Sequence, residues 1–340
     1  MKILRLAAGM FVLAGLTAAP GTGQVIAGPQ GPVEFIGLQQ WTAQKLFDAI
    51  RELDPDRPFH ACAAVMKMDL GFAEAAAFGY MNSFSADSER YTVVVGVEDS
   101  SRVRYRPVGS ETLALPETWE ELRTLIGENM GTLDAAAFTL LARGGPWADP
   151  RKFAEMVGAD PDALDQIRDL VGRANGEEDR RLAHEVLARD SAWLARVTAA
   201  LVLANFMDDD TSWHALVGAM TDSHARVRGT AVRIFDGVIT QEPGPFDWSA
   251  VPAPLQALLA GTNPFAFNNI LRILVVTDID PAFARSLIRE SPDLLLAHAG
   301  AEHQPTRVPA LAFLRAASGE DFGTDVDAWT AWVEGLSEGH

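Results

Sequence analysis

A phrase that recurs at a fixed interval constrains this fold more than any other feature of the sequence. Asp190 is followed by Arg196, and the same pair returns 32 residues later as Asp222 and Arg228. Each pair lies at the start of an apolar stripe with helical spacing, and a polar turn and a second amphipathic helix follow it. Self-similarity at this period is typical of stacked helix pairs that bury their apolar faces on one another. The C-terminal half is therefore predicted to be a helical stack.

Four units fit this pattern, and the third fits it least. They are predicted at 190–221, 222–261, 263–300 and 301–336. The fourth unit keeps Arg307 at the expected interval, whereas the third has Asn269 and Arg272 in place of the Arg and Ala of the phrase. We interpret the recurring charges as a structural ladder in which each Arg pairs with an Asp at a neighbouring turn. The ladder residues are Asp190, Arg196, Asp222, Arg228 and Arg307.

The phrase and the end of the chain together resemble HEAT repeats. The pattern is Asp, five residues, Arg, two residues and Ala, followed by a turn and a second helix. The ending Ser-Gly-Glu-Asp-Phe-Gly at 318–323, followed by Trp329 and Trp332, looks like the closing cap of bacterial HEAT-repeat proteins. The resemblance covers about residues 177–336. It implies a curved helical stack that binds other macromolecules, and it supplies no catalytic residues.

The first residues have the features of an export signal. Lys2 and Arg5 precede an apolar run over 6–16, and small residues follow it, so we predict a signal peptide over 1–23. The run is too short to span a bilayer comfortably, although an uncleaved anchor is the alternative. The protein is therefore expected to be periplasmic or extracellular, with no direct membrane insertion once the signal is removed.

The region between the signal and the repeats predicts a small α+β module. Residues 24–32 are rich in Gly and Pro and predict a linker, and the module is predicted over 33–145. The β-branched run 90–97 and the alternating run 102–106 predict a hairpin, and 73–81 is a candidate third antiparallel strand. A helical domain over 146–340 follows, so the predicted fold class is mainly α.

Few residues outside the ladder suggest chemistry. His60 and Cys62 are a candidate nucleophile pair, but a buried structural thiol is the favoured interpretation. The remaining histidines are scattered, and Asp208–Asp210 lacks the spacing of a calcium loop, so neither a metal nor a cofactor is expected. Candidate contacts with a partner are Trp193, Arg102, Arg104 and Arg106.

Net charge excludes one class of partner. The chain has 46 acidic and 28 basic residues and a formal net charge of −18, which argues against binding to nucleic acid. The leading hypothesis is an exported, non-enzymatic scaffold that binds a protein partner through its repeats. The alternative is a small-ligand-binding protein or a hydrolase-type enzyme, with its site in the 33–145 module or at its junction with the repeats.

Overall fold

The fold is mainly helical with a small sheet on its N-terminal side, which confirms the predicted fold class. A computed structural model describes residues 23–81 and 90–338. The predicted signal peptide, apart from Gly23, lies outside the described residues.

Four strands form one mixed sheet in the order β1-β2-β4-β3. The strands are β1 (Gln24–Gly28), β2 (Gly31–Ile36), β3 (Glu74–Met81) and β4 (Arg90–Val97). Strands β2 and β4 are parallel, and the β1–β2 and β3–β4 pairs are antiparallel. The third antiparallel strand predicted over 73–81 is thus confirmed as β3.

The linker predicted over 24–32 is wrong, because these residues form the β1–β2 hairpin. Pro29 and Gln30 make the turn, and Gly31 follows with φ of +120°. A Cβ at Gly31 would lie 2.3 Å from the carbonyl oxygen of Arg90, so only glycine fits there. The Gly/Pro signal therefore marks a tight turn between strands rather than a flexible connection.

The hairpin predicted between 90–97 and 102–106 is also wrong. Strand β4 is paired on both sides, by β2 and by β3, so it has no free edge for another strand. Residues Ser100–Arg102 form a 3-10 turn, and the chain from 103 to 113 then has neither helix nor strand, apart from an isolated bridge between Glu111 and Asp190. We call residues 99–113 the strap.

The sheet separates two cores. Helices α1 (Ala43–Leu53) and α2 (Ala63–Met68) pack on one face against Val33, Phe35 and Val94. Thr42 begins α1 by accepting a hydrogen bond from the Lys45 amide (3.3 Å), as expected for an N-cap threonine. The opposite face contributes Ile36, Val93 and Val95 to the core of the helical stack.

Five helices lead from the sheet to the repeats. They are α3 (Glu117–Glu128), α4 (Leu133–Leu141), α5 (Pro150–Val157), α6 (Pro161–Arg173) and α7 (Glu177–Arg189). The predicted units then follow as helix groups, of which the third has an extra helix. They are α8 (Trp193–Leu203) and α9 (Asp210–Ala219); α10 (Ala225–Ile239) and α11 (Pro252–Ala260); α12 (Phe267–Val276), α13 (Pro281–Glu290) and α14 (Asp293–Ala299); and α15 (Gln304–Ser318) and α16 (Val326–Glu338).

The predicted boundary at residue 146 does not divide the structure. Helix α4 precedes it in sequence, yet α4 packs closely on α10 of the second unit. A Cβ added to Gly237 of α10 would lie 2.5 Å from the carbonyl oxygen of Phe138 in α4. Residues of α3, α4 and the sheet belong to one continuous core with the repeat helices. The Gly-Gly-Pro sequence at 144–146 is a surface turn.

Candidate functional site

The recurring phrase performs the structural role predicted for it at Arg196. The Arg196 Nη1 donates to the carbonyl oxygens of Asp190 (3.0 Å) and Ser191 (2.9 Å). Its Nε and Nη2 each donate to the carboxylate of Asp222 at 2.9 Å. Because Asp222 begins the next unit, Arg196 joins two consecutive units, and both side chains are buried.

The next rungs of the ladder differ from the prediction. Arg228 repeats the contacts to its own turn, donating to the carbonyl oxygens of Asp222 (2.8 Å) and Ser223 (3.1 Å). Its ion pair is with Glu74 of β3 (3.2 Å) instead of an Asp of the third unit. Arg307 donates to the carbonyl of Ala301 (3.2 Å). The third unit begins at Asn263, which has no carboxylate to offer Arg228.

The strap crosses the starts of three units. Its Arg106 guanidinium binds the Asp222 carboxylate (2.6 Å) and the carbonyl of Leu187 (2.7 Å). Further along, the Leu113 amide donates to Asp190 Oδ2 (2.9 Å). At the other end, Arg102 Nε donates to the carbonyl of Ala260 (3.1 Å), and the Arg104 amide donates to Thr262 Oγ1 (2.9 Å). The strap therefore covers the edge of the stack where the repeated charges lie.

This arrangement corrects part of the predicted partner surface. Arg102 and Arg106 are used to hold the strap on the stack, so their guanidinium groups are not presented to a partner. Arg104 is exposed. Trp193 is half-buried and stacks on His224, with ring centroids 4.4 Å apart and an interplanar angle of 9°.

The structure separates His60 from Cys62. Cys62 is fully buried between the sheet and α1, and burial raises the pKa of its thiol to about 12. His60 faces the other way, and its Nδ1 accepts a hydrogen bond from Arg90 Nη1 (3.0 Å). A thiolate nucleophile needs an accessible sulfur, and the sulfur of Cys62 is buried beside Met66 Sδ (3.9 Å). Cys62 is a core residue, as the favoured interpretation predicts.

The acidic turn at 208–210 is a helix cap. Asp209 accepts a hydrogen bond from the Thr211 amide (2.8 Å) at the start of α9 and is paired with Arg180. Within residues 23–81 and 90–338, no group of three or more His, Cys, Asp and Glu side chains is arranged to hold a metal ion.

Two buried glutamates, which the sequence interpretation missed, attach the sheet to the stack. The Glu34 carboxylate accepts hydrogen bonds from the amides of Glu302 (2.5 Å) and His303 (3.0 Å) at the start of α15, and from the Tyr91 hydroxyl (3.1 Å). Glu74 binds Lys67 (2.8 Å) and Arg228. A carboxylate is favoured at a helix N-terminus, and a buried one must be paired.

Between these attachments the sheet and the helices leave a cleft of about 460 Å³. Its floor is the face of β3 and β4, and its far wall is formed by α12 and α15. The rings of Phe78 and Phe265 stack across it, with centroids 5.3 Å apart. His60 lines the cleft, whereas Cys62 and Arg104 do not. The cleft lies at the junction between the predicted module and the repeats.

Polar groups with unused hydrogen-bonding capacity line the cleft. Asn268 Oδ1 is buried and has no hydrogen-bond partner among the described residues. His298 is buried and donates from Nδ1 to the carbonyl of Leu294 (2.8 Å), so the neutral ring keeps a lone pair on Nε2. Burial lowers the pKa of His298 to about 4, and the ring is therefore neutral near pH 7.

The residues that break the repeat phrase in the third unit are also at the cleft. Asn269, in the position of the ladder Arg, donates to Asp236, while Arg272, in the position of the Ala, is exposed and lines the cleft. Asn268 and Arg272 lie four residues apart and share one face of α12. The sequence signal for this site is the irregularity of the third unit, which by itself predicts only a poorer fit to the repeat.

An apolar groove of about 520 Å³ adjoins the cleft between α12 and α15. Arg272 lines both the cleft and the groove. Val276 and Val308 on either side of the groove are 41% and 49% exposed, which is high for large apolar residues. The cleft and groove together thus offer apolar surface on both sides of one arginine.

The burial of His298 predicts a specific pH dependence of stability. Its pKa is about 4 in the folded chain against 6.5 when exposed, so the unfolded chain binds more protons between these values. The stability contributed by the neutral ring is complete above pH 6.5 and is lost as the pH falls. We expect the burial of His298 to lower the free energy of unfolding of wild type by about 2 kcal/mol between pH 7 and pH 5. Urea unfolding of wild type and His298→Asn across this range measures it. The difference in free energy of unfolding between wild type and His298→Asn should become smaller as the pH falls. A difference that stays constant with pH would contradict a lowered pKa for His298.

No helix within the described ranges is long and apolar enough to cross a membrane. Comparisons of the chain with protein families, with curated proteins and with solved structures find no match in any of the three.

Proposed function

We propose that this protein is a non-enzymatic binding protein that holds a small organic ligand in the cleft between the sheet and helices α12 and α15. The observation that carries the proposal is the cleft itself, which has an apolar floor, an arginine at its rim and an unsatisfied buried amide oxygen. Ligand pockets commonly have volumes of about 300–1,000 Å³, with mostly apolar walls and a few polar groups that orient the ligand.

The strap favours this alternative over the interaction scaffold. The scaffold hypothesis relies on the repeat surface, and the strap occupies the edge of that surface where the Asp and Arg residues of the recurring phrase lie. A nucleophilic enzyme is disfavoured by the burial of Cys62 and by the engagement of His60 with Arg90. The HEAT-like ancestry of the stack and an extracytoplasmic location remain part of the proposal, supported by the repeated phrase and by the residues of 1–23.

Native mass spectrometry tests the proposed function. The protein is incubated with a small-molecule extract of the producing cells, washed and measured. We expect wild type to retain a bound compound and Asn268→Trp, which fills the cleft, to lose it. Met156→Trp is the matched control, because Met156 is 64% exposed and lies on α5, outside the cleft. Equal retention by Asn268→Trp, or conversion of the bound compound to a product, would contradict a non-enzymatic cleft binder.

A further inference from the structure

The lining of the cleft and groove has the opposite charge balance to the whole chain. The protein has 46 acidic residues against 28 basic ones, yet no Asp or Glu from the described parts of the chain lines either the cleft or the groove. Two arginines, Arg233 and Arg272, do line the cleft. A concave surface with one sign of charge and low-dielectric walls concentrates ligands of the opposite sign.

Of these two arginines, only Arg272 makes no hydrogen bond or ion pair with a described residue. Arg233 pairs with Asp236 (3.0 Å) and Asp134 (3.7 Å) and lies over the ring of Phe265, 5.4 Å from its centroid. Burial raises the pKa of Asp236, and the charges of Arg233 and, more weakly, of Arg272 oppose that rise, so Arg272 interacts with this carboxylate through space without a hydrogen bond or ion pair to it. Its guanidinium is exposed beside an apolar cavity, where it can bind an oxyanion through two parallel N–H groups.

The surroundings of Arg272 specify the rest of the ligand. On one side are the stacked rings of Phe78 and Phe265, and on the other is the apolar groove beside Val276 and Val308. An inorganic anion would leave this apolar surface in contact with water, and a neutral hydrocarbon would leave the guanidinium without a partner. An anionic group attached to an apolar body satisfies both requirements.

We propose that the cleft binds an amphipathic organic anion, with its carboxylate or sulfonate on Arg272 and its apolar body against Phe78 and Phe265. This inference rests on the proposed function and names the ligand class for the same site. Two polar groups of the cleft lining, Asn268 Oδ1 on α12 and His298 Nε2 on α14, are acceptors, so a hydroxyl or N–H on the bound molecule would be recognised there.

Two fluorescent probes that differ by a single group test the inference. Anilinonaphthalene sulfonate carries the anion, and phenylnaphthylamine is the same body without it. We expect the sulfonate to bind saturably and more tightly, and decanoate to displace it better than decanol does. Replacing Arg272 by Gln should weaken sulfonate binding about tenfold, since a charge-assisted hydrogen bond at an exposed rim contributes about 1.5 kcal/mol. The affinity for phenylnaphthylamine should stay within about twofold, as the apolar contacts are kept.

Arg104→Gln is the matched control, because Arg104 is also exposed and lies outside the cleft. If Arg272→Gln and Arg104→Gln weaken sulfonate binding equally, or if the two probes bind wild type equally, the inference is overturned. The Asn268→Trp variant separates this failure from that of the proposed function. If Asn268→Trp abolishes probe binding and Arg272→Gln does not affect it, the cleft binds a ligand but does not select an anion. The proposed function then stands and the inference about the anion fails. If Asn268→Trp leaves probe binding unchanged, the probe does not bind in the cleft, and the proposed function fails as well.

Discussion

Replacing Asp222 by Asn is expected to lower the free energy of unfolding by about 3–5 kcal/mol, the range for breaking a buried ion pair. Its carboxylate is fully buried and accepts hydrogen bonds from Arg196, from Arg106 and from the His224 amide (2.8 Å). The amide of Asn has only one acceptor oxygen and places N–H groups against two guanidinium groups. Urea unfolding followed by circular dichroism measures the loss.

Asp165→Asn is the control for the Asp222 prediction. Asp165 also pairs with an arginine, Arg151, but both side chains are exposed, so the expected loss is about 0.5 kcal/mol. Similar losses for the two variants would show that the buried network is not what joins the units.

Burial alone raises the pKa of Asp222, but the hydrogen bonds from Arg196, His224 and Arg106 outweigh it, and the net pKa is lowered. The pair is therefore stabilising at neutral pH, and that stability is lost only as the pH falls below 3.8 and through the lowered pKa.

Two glycines in α10 are expected to respond to alanine with opposite signs. In Gly237→Ala the new Cβ would lie 2.5 Å from the Phe138 carbonyl oxygen and 3.1 Å from the Ala142 nitrogen, both backbone atoms. Helix α4 must then move away, and we expect a loss of about 1–3 kcal/mol from the overpacked contact. In Gly229→Ala nothing lies within 4 Å of the Cβ, so helix propensity should add about 1 kcal/mol.

Thermal unfolding of the two single variants and of wild type distinguishes these outcomes. The midpoint should fall for Gly237→Ala and rise for Gly229→Ala. Because both changes remove a glycine from the same helix, propensity cancels in the comparison and the close approach of α4 remains. A rise in both midpoints would mean that α4 packs on α10 loosely and that the residues before 146 are a separate unit after all.

The helical stack could be predicted because its signals are local. The Asp–Arg phrase contacts its own turn within six residues, and the apolar stripes repeat within each helix. Each helix can therefore be predicted from a short stretch of sequence. The strap could not be predicted in this way, because Arg106 and Asp222 are 116 residues apart and no local pattern links them.

The sheet was predicted in part for the same reason. The strand 90–97 has a strong β-branched signal, but nothing in it indicates that its two neighbours are β2 and β3. One residue of β2 does indicate a distant contact. Glu34 lies in the run Val33-Glu34-Phe35-Ile36, where a charge inside a buried strand requires a partner. That partner is the start of α15, 268 residues away.

The cleft combines predictable and unpredictable parts. Its lining comes from β3, β4, α12 and α15, which only the tertiary structure brings together. Its distinctive residues, Asn269 and Arg272, were nevertheless visible as the places where the third unit departs from the phrase. In a repeat array the regular positions serve packing, and a departure frees a position for another use.

The starts of all four units are attached to residues of the N-terminal third of the chain. In most repeat arrays each unit contacts only its neighbours, so small movements between units add up along the array. Here the strap binds at 187–191, 221–222 and 260–262, and Glu34 binds at 302–303. These contacts connect the units along one edge of the stack, in addition to the contacts between neighbouring units. We therefore expect the width of the cleft to be the same with and without the proposed ligand. If the proposed ligand binds there, little free energy is spent on reshaping the protein, and a preorganised site of this kind favours affinity over adaptability.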